Sequence, residues 1–401
     1  MAALNPAAAN LAGLRVAQLI ESDGPGGAER VVADLAREFQ ASGAQSLVVL
    51  PANGEGWLER QLAGSGVAVE YFRLTSPFSP ACARSLAAVF RRHDIAVAHS
   101  HEFSMAVYGA WASWLAGVQH VITMHGSRYY ADRLRRRIAM RAAVACSRHV
   151  VAVSDALAGQ MSADLLIART RIATMANGVR PSAPASPGLR DELRLGPDER
   201  LLVSVGNLYR VKGHRYLLDA VARIAVRHPR VHVAVCGRGE LEHALSCQAR
   251  ELGIAGRVHL LGLRADVASA LASADIFVHP SISEGLPLAL LEAMFAGCPI
   301  IASRVGEIGT ALADGDAGVL VPPGDPVALS SAIETLLDDS AHARALGERA
   351  RRRAVAEYAV AQMVQRYGAV YADALGRSRP SLSPLTVSPA RPGSRGCAGP
   401  A

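Results

Sequence analysis

The sequence predicts an α/β protein of two domains, each a parallel β-sheet with helices on both faces. A chain of 401 residues is too long for one compact core, and half of its residues are hydrophobic while 19% are charged. Short apolar runs rich in Val, Ile and Leu alternate with helix-length amphipathic stretches from residue 14 nearly to the end. Apolar strands separated by helices are typical of doubly wound parallel sheets.

Apolar runs of strand length occur in both halves of the chain. Those of the first half are 15–20, 46–50, 67–72, 95–100, 121–124 and 150–154. Those of the second half are 201–206, 231–237, 258–262, 276–280, 299–303 and 318–321. The segment 103–127 lacks Asp, Glu, Lys and Arg, but Gly117 divides it into a helix-length piece and a strand. A piece of roughly 14 apolar residues is short for a membrane span of about 20, so we expect a buried helix.

Breaker residues predict the domain boundaries. Residues 181–188 read PSAPASPG, which is the composition of a linker. The ligand of such a protein binds at the carboxyl ends of the strands, in a cleft between the domains. The predicted segments are a disordered N-terminus at 1–13, a Rossmann-like domain at 14–180, a linker at 181–198, a second Rossmann-like domain at 199–358, a C-terminal helix packed back on the first domain at 359–375, and a disordered tail at 376–401.

Composition limits the partners. The formal net charge of +7 suits an anionic partner such as a nucleotide or an acidic membrane surface. No basic strip is interleaved with aromatic residues, so we expect no nucleic acid. The six cysteines form no C-x-x-C pair, which favours buried free thiols in a reducing compartment. No secretory signal is recognisable, and we expect a cytoplasmic protein.

The most informative stretch joins a predicted strand to a predicted helix. It contains the turn SEGLP, after which Pro287 suits the first helical position and Gly297 suits the helix end. The free backbone N–H groups near Gly285 and Leu286 would form the positive end of that helix. Such an end is suited to a diphosphate.

Two glutamates belong to this stretch, Glu284 before the helix and Glu292 within it. Eight helical steps of about 1.5 Å would separate them by roughly 12 Å. The two carboxyl groups of a retaining glycosidase lie only about 5–5.5 Å apart. We therefore predict that the glutamates hold a ligand rather than act as nucleophile and acid. The spacing alone leaves open an incidental pair of solvated glutamates.

The runs ADIFVHPS, SEGLP and LEAMFAGCP at 274–299 closely resemble the retaining GT-B-type glycosyltransferases of the glycogen-synthase-like and lipopolysaccharide-assembly group, of family 4 type. The resemblance extends over 26–371 and implies two Rossmann-like domains facing a cleft. It implies transfer of a sugar from a nucleotide sugar, commonly a UDP-hexose, to a hydroxyl of a cell-envelope glycan or a lipid-linked acceptor. It assigns the donor sugar to Glu284 and the ribose to Glu292, with no metal or other cofactor.

The resemblance places other site residues on turns after predicted strands. Gly26 and Gly27 match a glycine loop near the donor phosphates; an NAD fingerprint, the rival interpretation, would need a third glycine. His125 matches a histidine that touches the transferred sugar. Lys212 matches a cation that neutralises the departing diphosphate. His125, Glu284 and Lys212 are thus the predicted catalytic residues.

Further matches concern the nucleotide. Gly237 corresponds to a glycine near the nucleotide, and Leu263 and Arg264 correspond to a loop that contacts the base mainly through backbone atoms. On the first domain, two further histidines follow the strand that precedes His125. His99 and His101 are alternative candidates for the residue that contacts the sugar.

The chain departs from the family pattern at two places. Asn207 replaces an arginine, and 306–310 reads GEIGT where relatives carry two adjacent glycines, a proline and a glutamate. Either Arg210 supplies the second cation, or leaving-group stabilisation is weaker, or the chemistry has diverged. Two alternatives stay open: a sugar-nucleotide epimerase or hydrolase on this fold, and a non-catalytic nucleotide-sugar-binding protein.

Two charged motifs have ordinary explanations beside functional ones. The acidic residues of the D-x-D sequence at 314–316 stand in a predicted turn, where Asp and Gly are common, so we expect no metal. The arginine-rich run 133–141 is either a solvated helix face or a peripheral contact with anionic lipid at the inner face of the plasma membrane.

Overall fold

The computed structural model describes residues 12–74, 79–126, 128–181, 183–184 and 188–376. The predicted disordered segments at both ends therefore lie outside the described residues, apart from residues 12, 13 and 376, and so does part of the predicted linker.

Within these residues the strands form two wholly parallel sheets, ordered β3-β2-β1-β4-β5-β6-β7 and β10-β9-β8-β11-β12-β13. The strands of the first sheet are β1 (Arg15–Leu19), β2 (Gln45–Pro51), β3 (Ala68–Phe72), β4 (Val97–His101), β5 (Gln119–Met124), β6 (His149–Ala152) and β7 (Ile172–Thr174). The strands of the second sheet are β8 (Arg200–Val205), β9 (Val231–Cys236), β10 (Val258–Leu260), β11 (Ile276–His279), β12 (Ile300–Ser303) and β13 (Val319–Val321).

Helices connect the strands and cover both sheets. Those of the first half are α1 (Gly27–Ala41), α2 (Trp57–Leu62), α3 (Pro80–Arg92), α4 (Glu102–Ala116), α5 (Leu134–Cys146) and α6 (Asp155–Leu165). The following ones are α7 (Leu189–Glu192), α8 (His214–Ile224), α9 (Glu242–Glu251), α10 (Val267–Ala272), α11 (Leu288–Ala296), α12 (Ile308–Ala311), α13 (Pro326–Asp338), α14 (Ser340–Glu357) and α15 (Val360–Ala374).

The predicted fold class is confirmed, and every predicted strand coincides with one of β1–β6 or β8–β13. β7 was not predicted, because this strand has three residues and only Ile172 among them is buried. A run that short carries no strand signal. The thiols also differ in part from expectation. The five described cysteines are free, but Cys146 is exposed on α5.

The charge-free segment after β4 is a buried helix, as predicted. α4 lies between α3 and α5, so apolar neighbours cover both of its sides. No helix of the described residues combines the length and the apolarity needed to cross a membrane.

The last helix, α15, returns from the second domain to the first. Its tyrosines Tyr367 and Tyr371 are buried in one cluster with Val16 and Phe39 of the first domain. A backbone bridge from Val179 to Ala359 marks the point where the chain crosses back. The first domain is therefore completed by residues from the far end of the sequence.

In each sheet the strand order reverses beside the strand that comes first in that domain, between β1 and β4 and between β8 and β11. Connections leave such a switch point in opposite directions, so a crevice opens there at the carboxyl ends of the strands. The predicted site residues lie on the turns and helix starts at these carboxyl ends.

Candidate active site

The two switch points face each other across a cleft. A Cβ built on Gly27, at the start of α1, would lie 3.7 Å from Leu288, at the start of α11. A Cβ on Gly285 would lie 3.9 Å from the carbonyl oxygen of His125. The starts of one helix from each domain thus border the same space, and their N–H groups give it a positive potential.

α11 begins one residue later than the sequence indicated, because Pro287 adopts extended backbone angles and serves as the N-cap, and Gly297 ends the helix with φ of 73°. The side chain of Leu286 is buried in the core of the second domain. Leu286 and Gly285 therefore offer a ligand their backbone rather than a side chain.

Glu284 is the centre of a compact polar cluster. Its Oε1 accepts hydrogen bonds from Lys212 Nζ at 2.6 Å, from Ser281 Oγ at 2.8 Å and from His279 Nε2 at 3.1 Å. Burial raises the pKa of Glu284, but the hydrogen bonds and charges of His279 and Lys212 outweigh burial and bring the pKa to about 2. A carboxylate of such low basicity is a poor proton acceptor near neutral pH.

Backbone geometry explains why Lys212 reaches this cluster. Lys212 ends a 3₁₀ turn after β8, and Gly213 follows with φ of +69°. A Cβ on Gly213 would stand 2.0 Å from the carbonyl oxygen of Pro280, so only glycine allows this approach. Arg210 and Asn207 are both exposed, and Arg210 forms no ion pair with any residue that the structure describes.

Glu292, the predicted ribose ligand, is already bound by a residue of the other domain. Arg30 Nη1 on α1 lies 2.8 Å from Glu292 Oε1 on α11. Burial raises the pKa of Glu292, and the charge of Arg30 counteracts this. The pair links the two domains directly across the cleft, and no sequence pattern predicted it.

His125 lies on the opposite wall, directly after β5. Its Nε2 lies 2.8 Å from His101 Nδ1, and its backbone N–H donates to Glu102 Oε1 at 3.0 Å. Burial lowers the pKa of His125 to about 4, so the imidazole is neutral at pH 7. Of the competing histidines, His101 is completely buried behind His125, and His99 is buried further back.

The predicted nucleotide residues lie together at the carboxyl edge of the second sheet. A Cβ on Gly237 would stand 2.0 Å from the carbonyl oxygen of Gly206, so glycine is required there. Leu263 is 52% exposed. The guanidinium of Arg264 is held by Asp266 and Glu192. Its side chain is therefore committed to structure, and only its backbone is left to contact a base.

The loop that departs from the family pattern braces the SEGLP turn. Gly306 has φ of +53°, and a Cβ there would stand 2.1 Å from the carbonyl oxygen of Glu284. Glu307 donates its backbone N–H to Gly285 O at 2.9 Å. Its carboxylate accepts a hydrogen bond from the N–H of Ala156 at 3.2 Å, at the start of α6 in the first domain. Glu307 therefore adds an interdomain contact that a glycine would lack.

Both carboxylates of the D-x-D sequence pair with arginines of the second domain. Asp314 pairs with Arg304 at 2.9 Å and Asp316 with Arg349 at 3.5 Å. Across the described ranges, no group of three or more His, Cys, Asp or Glu side chains is arranged to hold a metal ion.

Two family models match the chain. The model described as Glycosyltransferase Family 4 matches residues 25–183, and the model described as Glycosyl transferases group 1 matches residues 187–353. The chain is 31% identical over 338 residues to phosphatidyl-myo-inositol mannosyltransferase of Mycobacterium leprae, which covers 79% of this chain and 84% of that protein. It is 38% identical over 149 residues to D-inositol 3-phosphate glycosyltransferase of Corynebacterium diphtheriae, but this match spans only 35% of each.

Solved structures share the architecture. HepE of Anabaena, crystallised with UDP, superposes with a TM-score of 0.78 at 24% identity and covers 90% of this chain and all of that one. At this identity the likeness shows the fold, in which two parallel-sheet domains face a cleft. The chain belongs to the family 4, group 1 glycosyltransferases of the GT-B fold.

Proposed function

We propose that the protein transfers a sugar from a nucleotide sugar to a hydroxyl of a glycolipid or a cell-envelope glycan, with retention of configuration and without a metal. One observation carries the proposal. Lys212, Glu284 and the start of α11 form one wall of a cleft, and His125 lies on the other wall beside Gly285. Cation, carboxylate, helix start and neutral imidazole thus converge on one space between two domains.

The diphosphate of the donor fits the positive wall. Lys212 and the backbone N–H groups at the start of α11 would together stabilise the charge that develops as the diphosphate leaves. Lys212 and these N–H groups would provide the charge stabilisation that a metal ion provides in other transferases. The ribose would bind Glu292, and the base would lie against the backbone near Leu263.

The state of Glu284 supports retention without a covalent enzyme intermediate. Its Oε1 accepts from three donors, and its pKa of about 2 marks a weakly basic carboxylate. It is therefore suited to hold Lys212 and a sugar hydroxyl rather than to attack carbon. An oxocarbenium-like sugar would form as the diphosphate departs, and the acceptor hydroxyl would attack the same face and give its proton to the departing diphosphate.

The relatives support a lipid-linked acceptor. The mannosyltransferase of M. leprae is named for phosphatidyl-myo-inositol, and its match extends through both domains. We take UDP-hexoses as the first donors to test, with GDP-hexoses beside them because of the mannosyl relative.

The direct test incubates the protein with a panel of nucleotide sugars, with and without phosphatidylinositol, and follows donor and products by mass spectrometry. Acceptor-dependent release of the nucleoside diphosphate is the expected result. Donor conversion without an acceptor would contradict it in favour of an epimerase or hydrolase. Binding without turnover across donors and acceptors would favour a non-catalytic protein, the alternative suggested by the exposed Asn207.

We also propose that the exposed face of α5 rests on an anionic bilayer at the inner face of the plasma membrane. Leu134 and Ile138 are 70% and 58% exposed on this face. Arg133, Arg135 and Arg141 are exposed beside them and form no ion pair with described residues. On such a surface the apolar side chains can enter the acyl-chain region of the bilayer, and the arginines can interact with its anionic headgroups.

Vesicle co-sedimentation tests this surface. The protein should bind vesicles rich in phosphatidylglycerol more strongly than neutral ones, and Leu134→Glu with Ile138→Glu should abolish the difference. Val226→Glu is the matched control, because Val226 is 91% exposed in the second domain. Equal loss in the control variant would contradict the assignment.

A further inference from the structure

A buried chain of hydrogen bonds runs from His125 to the C-terminal helix. His125 Nε2 lies 2.8 Å from His101 Nδ1, and His101 Nε2 lies 2.9 Å from Gln18 Oε1. Gln18 Nε2 then lies 3.1 Å from the hydroxyl of Tyr371. The residues of this chain behind His125 are at most 1% exposed: Gln18, His101 and Tyr371.

The chain has a direction, and the amide of Gln18 sets it. An amide nitrogen only donates and an amide oxygen only accepts. With the amide oriented as in this structure, Gln18 Nε2 donates to Tyr371, and Gln18 Oε1 accepts the Nε2–H of His101. Burial keeps His101 neutral by lowering its pKa far below the ordinary value, so the ring carries one proton and Nδ1 is an acceptor. His125 must then donate through Nε2–H.

This leaves His125 with one unprotonated nitrogen. Its Nδ1 is buried and has no hydrogen-bond partner among the residues that the structure describes. A buried acceptor without a partner is costly and is explained most simply by a ligand that supplies the donor. The backbone carbonyl oxygen of His125 lies 3.9 Å from a Cβ built on Gly285 of the other domain, so His125 borders the cleft in which the donor sugar is proposed to lie.

The backbone of His125 is fixed as well. Glu102 directly follows His101 and has φ of 66°, a conformation that non-glycine residues rarely adopt. This turn brings the Glu102 carboxylate to 3.0 Å from the N–H of His125. The last residue of β4, His101, and the residue that follows it, Glu102, therefore hold the ring and the main chain of the same histidine.

We propose that His101 is a positioning residue that, with Gln18, fixes His125 as the Nε2–H tautomer and so makes its Nδ1 an acceptor for a hydroxyl group of the bound sugar. The identity of this ligand rests on the proposed function. The tautomer also decides what His125 does not bind. Diphosphate oxygens only accept hydrogen bonds, so an unprotonated Nδ1 repels them and selects the hydroxyl-bearing part of the donor.

Nitrogen NMR of the ligand-free protein tests the tautomer. With ¹⁵N-labelled histidine, and with His125→Gln to assign the signals, His125 should show a protonated Nε2 and an unprotonated Nδ1 from pH 8 down to pH about 5.5, above its pKa of about 4. An Nδ1–H tautomer, or a charged ring at pH 7, would overturn the proposal.

Variants test whether His101 is the cause. His101→Leu should replace the single tautomer by an averaged pair of signals, and His101→Asn, whose side-chain oxygen can replace Nδ1 as acceptor, should restore it. The control is His120→Gln, because His120 is also buried but, among the described residues, its ring bonds to Ser100 at 2.8 Å and Ser147 at 2.7 Å and not to His101 or His125. An unchanged tautomer in His101→Leu would overturn the proposal. Should that variant not fold, Gln18→Leu interrupts the chain one step further on and has the same expected result.

Ligand titration separates this inference from the proposed function. The Nδ1 signal of wild-type His125 should shift on addition of a nucleotide sugar that binds, and not on addition of UDP or GDP alone. A shift with the nucleoside diphosphate alone would contradict the assignment to the sugar. A fixed tautomer in a protein that transfers no sugar would refute only the proposed function.

Discussion

Removing Arg30 should make the nucleotide bind more tightly. In the ligand-free structure Arg30 Nη1 holds Oε1 of Glu292 at 2.8 Å, and a ribose diol that binds both carboxylate oxygens of Glu292 must displace it. The side chains of Arg30 and Glu292 are 36% and 22% exposed, so solvent weakens the pair. We assign it about 1 kcal/mol, near the upper end for exposed pairs, which corresponds to about fivefold in affinity.

Isothermal titration with the nucleoside diphosphate that binds the wild type measures this. Arg30→Met should lower Kd about fivefold, by the free energy assigned to the pair. Glu292→Ala should raise Kd, and in that background Arg30→Met should have little effect, because the contact no longer exists. Arg37→Met is the control, since Arg37 lies on the same helix and bonds within the first domain.

Two results would refute this reasoning. Weaker binding by Arg30→Met would show that Arg30 itself contacts the bound nucleotide. Unchanged binding by Glu292→Ala would show that Glu292 does not hold the ribose.

Three further predictions concern other parts of the molecule. Lys212→Met should lower kcat at least a hundredfold, because the lysine stabilises charge on the leaving diphosphate, and should change Kd for the nucleotide less. A decrease in affinity as large as the decrease in kcat would contradict this prediction. Burial lowers the pKa of His120 in the folded protein from 6.5 to about 3. As pH falls below 6.5, the unfolded chain therefore binds a proton at His120 that the folded protein does not bind, and the free energy of unfolding decreases. Between pH 7 and pH 5, Tm should fall less for His120→Gln than for the wild type. An equal fall in both proteins would argue against this role of His120. Glu307→Gly should increase the separation of the domains in small-angle scattering and leave Tm nearly unchanged, because it removes only the contact with Ala156.

Much of the fold followed from local patterns. Most strands of the two sheets are buried on both faces and are therefore continuous apolar runs, and twelve of the strands were predicted from such runs. Gly237 stands where another backbone approaches closely, and its position after a predicted strand marked the binding edge. β7 was missed because Ala173 and Thr174 give no apolar signal.

The sequence by itself determined the two parallel sheets, the turn before α11 and the residues at the strand ends, because each depends on neighbours a few positions away. Only the tertiary structure decided which side chains meet. Arg30 and Glu292 are 262 positions apart, and Gln18 and Tyr371 are 353 apart. These contacts depend on strand order, on the facing of the domains and on the return of α15. Because packing of distant surfaces sets them, no local pattern records them.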